Sequence, residues 1–108
     1  MKLGSPEHKA QYCADLIKEY YENIWMDEIQ ATRLEEEIGK GRKALAAINL
    51  AIDNKEYKTK NEGEKAKFVA QRGIEALQKS YDEVTEKINV TWPSRIQQIK
   101  EYMEKTDS

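Results

Sequence analysis

Two glutamate pairs stand first among the groups that could do chemistry. Glu19-Tyr20-Tyr21-Glu22 and Glu83-Val84-Thr85-Glu86 each set two carboxylates three residues apart. On a helix that spacing brings them one turn apart on one face, where they could share a divalent cation. A helical di-iron centre adds Glu-x-x-His motifs, and the sole histidine, His8, has no carboxylate partner at that spacing. Cys13 and His8 are five residues apart, so on a helix they do not face each other and form no nucleophile–base pair. Cys13 falls on an apolar stripe and reads as a buried structural cysteine. The residue types therefore predict no catalytic set, no metal, no cofactor and no small-molecule substrate.

Cations offer a second chemistry. Lys55, Lys58, Lys60, Lys65, Lys67 and Arg72 crowd one segment, and Lys40, Arg42 and Lys43 form a second group. A fold-back near position 59 sets position 42 level with about position 76, so the two groups could share one end of a helical rod. Lys40, Arg42, Lys43, Lys58, Lys60, Lys65 and Lys67 are the candidates for phosphate contacts. Against this, Glu56, Glu62 and Glu64 interrupt the patch and the chain carries a net charge of -2, which is not the basic footprint of a phosphate-driven binder. Nucleic-acid binding through the basic loop end is thus the alternative reading. The run Glu35-Glu36-Glu37 ahead of Lys40, Arg42 and Lys43 suits one-turn ion pairs on a solvated face.

A third possibility is the all-helical chorismate mutase architecture, a long helix, a loop and two shorter helices. Ile38-Gly39-Lys40 with Arg42, and Ser94-Arg95-Ile96-Gln97-Gln98, are locally similar to that family. The family clamps a dicarboxylate with several cations, and here Glu64-Lys65 stands where its Arg-Glu pair is expected, with no arginine ahead of Arg33. The second alternative, a small enzyme of that architecture, lacks the residues for the reaction.

The elements that would position these groups follow from the apolar spacing. Ser5-Pro6 is a helix start, a cap followed by a proline preset for the first turn. Apolar residues then recur at Cys13, Ile17, Tyr20, Ile24, Ala31, Leu34, Ile38, Leu45, Ile48 and Ile52, in alternating steps of four and three with gaps at Asp27 and Gly41. One helix over about 6–53 would be about 72 Å long. Gly39 and Gly41 could kink it, but the stripe resumes in phase, so close approach of a partner helix at Gly41 is the favoured explanation. Residues 54–63 lack the stripe and read as the loop. A second helix is expected over about 64–91, a break near Thr91-Trp92, and a short helix over about 93–105 with Pro93 in its first turn. The fold class is all-α: an elongated antiparallel helical hairpin or coiled coil, forming a single domain over 1–108. In that hairpin Trp92 is level with Met26, so Trp25 and Trp92 should meet beside Tyr20, Tyr21, Ile96 and Met103. Asp27 on the seam would need a cation such as Arg33 or Arg95, or an opening.

Composition then points to association. Of 108 residues, 35% are charged, yet only 20 are Leu, Ile, Val or Phe, few for a core in a chain this short. The expected function is a non-enzymatic protein–protein interaction module (scaffold, adaptor or inhibitor), acting with a protein partner or as a homodimer. Tyr12, Tyr21, Trp25, Met26, Ile29, Tyr102 and Met103 are the expected contact residues, since aromatic residues and methionine dominate such surfaces. One cysteine allows no intrachain disulfide. No apolar run approaches the length of a membrane span, and the first six residues have no apolar core of a secretion signal. A cytoplasmic location without membrane contact is expected.

Overall fold

A computed structural model describes residues 6–106, and the cap expected at Ser5 lies outside them. Helix α1 runs over Pro6–Asp53, α2 over Lys60–Glu86 and α3 over Trp92–Thr106, with a π-helical segment, Lys87–Thr91, between α2 and α3. The fold is all-α, two long helices and a short third. No strand occurs among the described residues, and no helix there is long and apolar enough to cross a membrane.

The chain divides into two compact units, one drawn from residues 6–30 and 84–106 and the other from Ala31–Glu83. In the Ala31–Glu83 unit, α1 and α2 form an antiparallel hairpin. Helix α1 is unbroken through Gly39 and Gly41. A Cβ at Gly41 would lie 3.0 Å from Ile74 Cγ1, so the missing side chain lets the two helices approach closely. Gly41 meets Ile74, and Glu35 meets Tyr81. Both partners on α2 lie nearer the loop than a fold-back about position 59 places them, Ile74 by nearly one turn and Tyr81 by about half a turn.

The turn is shorter than expected, because α2 begins at Lys60 and not near 64. Thr59 is the reason: its Oγ1 accepts the Glu62 N–H at 3.2 Å, satisfying one of the orphan donors of a helix start. On the other side, the Glu56 N–H donates to Ala51 O at 2.9 Å and the Lys55 N–H to Ile52 O at 3.1 Å. These two bonds make a Schellman ending, whose left-handed residue is ordinarily glycine. Here that residue is Lys55, at φ 56°, which costs about 1 kcal/mol for a residue with a side chain.

In the other unit, the N-terminal part of α1 runs antiparallel to the π segment and α3. The core is thin: Cys13, Val84 and Ile96 are buried, as Ile38 is in the Ala31–Glu83 unit. The break expected at Thr91-Trp92 does not occur. Helical structure continues, loosened over Lys87–Thr91, and the Trp92 N–H reaches back five residues to Lys87 O. Proline has no N–H and its ring collides with the carbonyl four residues earlier in an α-helix. The wider π turn ahead of Pro93 relieves that collision without ending the helix.

Candidate functional site

The groups tested first for chemistry do not assemble. Glu19, Glu22, Glu83 and Glu86 are all exposed, and no group of three or more His, Cys, Asp or Glu residues able to hold a metal converges among the described residues. Cys13 is a buried free thiol, and His8 is exposed.

Asp27 and Trp92 form the best-defined polar contact of the unit at the chain ends. The Trp92 Nε1–H donates to Asp27 Oδ2 at 2.6 Å, so neither Arg33 nor Arg95 is the partner of the seam carboxylate. Arg95 lies instead over the Trp92 ring, 5.5 Å from its centroid. Tyr20 stacks on Trp92 at 5.6 Å. The two tryptophans do not meet: Trp25 is 61% exposed. Position 25 is one residue past Ile24 on the stripe, a rotation of about 100° away from α3, and Tyr21 leaves the core by the same rotation from Tyr20. Tyr20, Trp92, Ile96 and Met103 stay buried or half-buried.

That rotation takes Tyr21, Trp25, Met26 and Ile29, four of the seven expected contact residues, off the core stripe. Tyr21, Trp25 and Ile29 are spaced by four, so they stack along α1, and Met26 flanks them. Relative to the stripe of Cys13, Ile17, Tyr20, Ile24 and Ala31, Met26 and Ile29 point to nearly the opposite side of the helix, with Trp25 about 110° and Tyr21 about 70° round from it. All four residues are exposed. Tyr12 is exposed on the same helix, toward a different side. On α3, Tyr102 is exposed but engaged, with Lys9 Nζ 4.4 Å from its ring centroid. The Lys9 ammonium is itself buried and has no hydrogen-bond partner among the described residues; the Tyr102 ring face lies at cation–π distance from it. Met103 is half-buried. The Ala31–Glu83 unit exposes Leu50, Phe68 and Val69, which the expected contact set omitted.

The cations expected to act together do not line one common cavity. Lys40 pairs with Glu37 at 3.5 Å. Arg42 lines a cavity of about 410 Å³ beside Glu35 and Tyr81. With Lys43, these positions fan around α1. Lys65 is exposed and Lys67 half-buried on α2. Lys58 and Lys60 line a cavity of about 590 Å³ at the turn, joined by Lys55, which the candidate phosphate-binding set left out. Near the first of these cavities the Tyr81 hydroxyl donates to Glu35 Oε1 at 2.6 Å. That bond, then partial burial, then the negative charges of Glu35 and Asp82 hold the Tyr81 hydroxyl above its ordinary value of 10.0. No protein-family model, curated protein or solved structure matches the chain.

Proposed function

We propose that the chain is a non-enzymatic helical interaction module that associates with a second copy of itself through the outer face of α1. The observation that carries this is the ridge of Tyr21, Trp25 and Ile29 with Met26, exposed on the side of α1 away from its own core stripe. Aromatic and methionine side chains on one helix face are the material of helix-to-helix anchoring. A ridge with a four-residue repeat is self-complementary about a twofold axis, as a closed dimer requires. The near-balanced charge opposes self-association only weakly. A reducing cytosol is the compartment we infer, in keeping with a single free cysteine.

Size-exclusion chromatography with light scattering at micromolar concentration tests this. The expected result is a dimer that Trp25→Ala combined with Ile29→Asp converts to a monomer with unchanged helical circular dichroism. A wild-type chain that runs as a folded monomer refutes the proposal. The nucleic-acid reading has less to rest on, because Lys40, Arg42, Lys43, Lys65 and Lys67 do not line the cavity at the turn.

A further inference from the structure

The turn between α1 and α2 carries a feature that self-association through the outer face of α1 does not use. Three lysines, Lys55, Lys58 and Lys60, are among the residues lining its cavity of about 590 Å³, a volume in the range of small-ligand sites. None of the three is in an ion pair among the described residues, and Glu56 and Glu62 do not line the cavity. Like charges gathered round one space repel each other until an anion occupies it.

Lys55 adds an independent observation. It stands at φ 56°, in the Schellman position where glycine is the unstrained choice. A chain that places lysine there accepts a local conformational penalty and gains a cationic residue in the lining of the cavity. Local rules broken in this way cluster at functional sites.

The lining also has an apolar, tightly packed part. Ile52 and Tyr57 contribute it, and both lie close to Gly63, where a Cβ would come within 2.9 Å of Ile52 Cγ1 and 3.2 Å of Tyr57 Cδ2. An inorganic anion needs no such apolar part. A phosphate chain attached to a flat, weakly polar ring uses both, the phosphates against the lysines and the ring against Tyr57 and Ile52. We propose that the turn of this protein binds a free nucleoside polyphosphate.

Isothermal titration of the full chain at low ionic strength, with ATP, inorganic tripolyphosphate, adenosine and a short single-stranded oligonucleotide, tests the assignment. The expected result is saturable ATP binding, weaker by about tenfold for tripolyphosphate, with no binding of adenosine. Lys58→Gln combined with Lys60→Gln should lower ATP affinity by about tenfold or more, whereas Lys79→Gln, on an exposed part of α2, should leave it unchanged. Lys55→Gly is the diagnostic variant, because it should raise the thermal midpoint of the free protein while weakening ATP binding several-fold. A merely structural Lys55 would move the first and not the second. The proposal is overturned by absence of saturable ATP binding, by tripolyphosphate binding as tightly as ATP, or by ATP affinity that survives the lysine substitutions. It is equally overturned if the oligonucleotide binds more tightly than ATP and loses as much affinity with Lys40→Gln and Lys43→Gln as with the turn variants.

Discussion

Gly39 and Gly41 sit in the same helix two residues apart, and alanine should act on them in opposite directions. At Gly39 a Cβ would meet nothing within 4 Å, so Gly39→Ala yields the plain helix-propensity gain of about 0.5–1 kcal/mol. For a domain of this size that is a rise of roughly 2–5 °C in Tm. At Gly41 the same propensity gain is available, but the new Cβ would stand 3.0 Å from Ile74 Cγ1, against an optimal carbon–carbon separation of about 3.5–4.0 Å. Ile74 is branched at Cβ and holds a narrow choice of rotamer in a helix, so the strain passes to the spacing of α1 and α2. Overpacking of this kind costs about 1–3 kcal/mol, which leaves Gly41→Ala between about neutral and 2 kcal/mol destabilising. Urea and thermal unfolding followed by far-ultraviolet circular dichroism, at one fixed protein concentration, measure both. The cause is isolated by repeating Gly41→Ala in an Ile74→Ala background, where the obstruction is gone and the substitution should stabilise as Gly39→Ala does. If Gly41→Ala stabilises the unaltered chain as much as Gly39→Ala, then Gly41 is not a point of close helix approach and the packing given for the Ala31–Glu83 unit is wrong.

Three other outcomes follow from contacts described above. Trp92→Phe keeps most of the ring but strands the half-buried Asp27 carboxylate, so it should cost about 1–3 kcal/mol in unfolding experiments, and the loss should shrink when Asp27→Ala is made first. Ile96→Ala, at a position only 5% exposed, should cost about 2–4 kcal/mol; a loss below that range would mean the unit has no packed centre there. Tyr81 holds its proton more tightly folded than unfolded, so the stabilisation linked to it is complete below pH 10 and disappears as pH rises through the higher folded value. Tyrosinate absorbance titrations of the chain and of Tyr81→Phe should differ by one late-titrating group, and Glu35→Ala should bring that group back toward 10.0.

Much of the helical order is legible in the residues, and the misreadings have identifiable physical causes. The steps of four and three from Cys13 to Ile52 define α1 to its last residue, because a 3.6-residue period is what a buried helical face requires. The turn was legible in position but not in length. Thr59-Lys60-Asn61-Glu62 matches the Ser/Thr-x-x-Glu pattern of a helix start, and that signal outweighs the missing apolar stripe that extends the expected loop to 63. The expected meeting of Trp25 and Trp92 came from matching axial level alone. Level says nothing of azimuth, and one residue of rotation moves Trp25 from the core to the outer ridge. The cavity at the turn depends on backbone geometry at Lys55, for which a lysine gives no warning in a sequence.

The π segment at Lys87–Thr91 also has a consequence for lineage and length. Core positions along the second half of the chain fall at Leu77, Tyr81, Val84 and Ile88, and then at Trp92, Ile96, Ile99 and Met103. From Ile88 to Ile96 is one residue more than a heptad. In an uninterrupted α-helix the three four-residue steps from Val84 to Ile96 would drift the core face round by about 120°; the π turn takes up that drift locally. The extra residue and the proline are therefore coupled. A chain shortened by one residue within 87–91 and carrying alanine in place of Pro93 should form straight α-helix with its apolar face intact, whereas either change alone should leave a defect, a proline ring against a carbonyl or an unabsorbed residue. Homologous chains that differ in length by one residue at this point would be expected to differ at the proline as well.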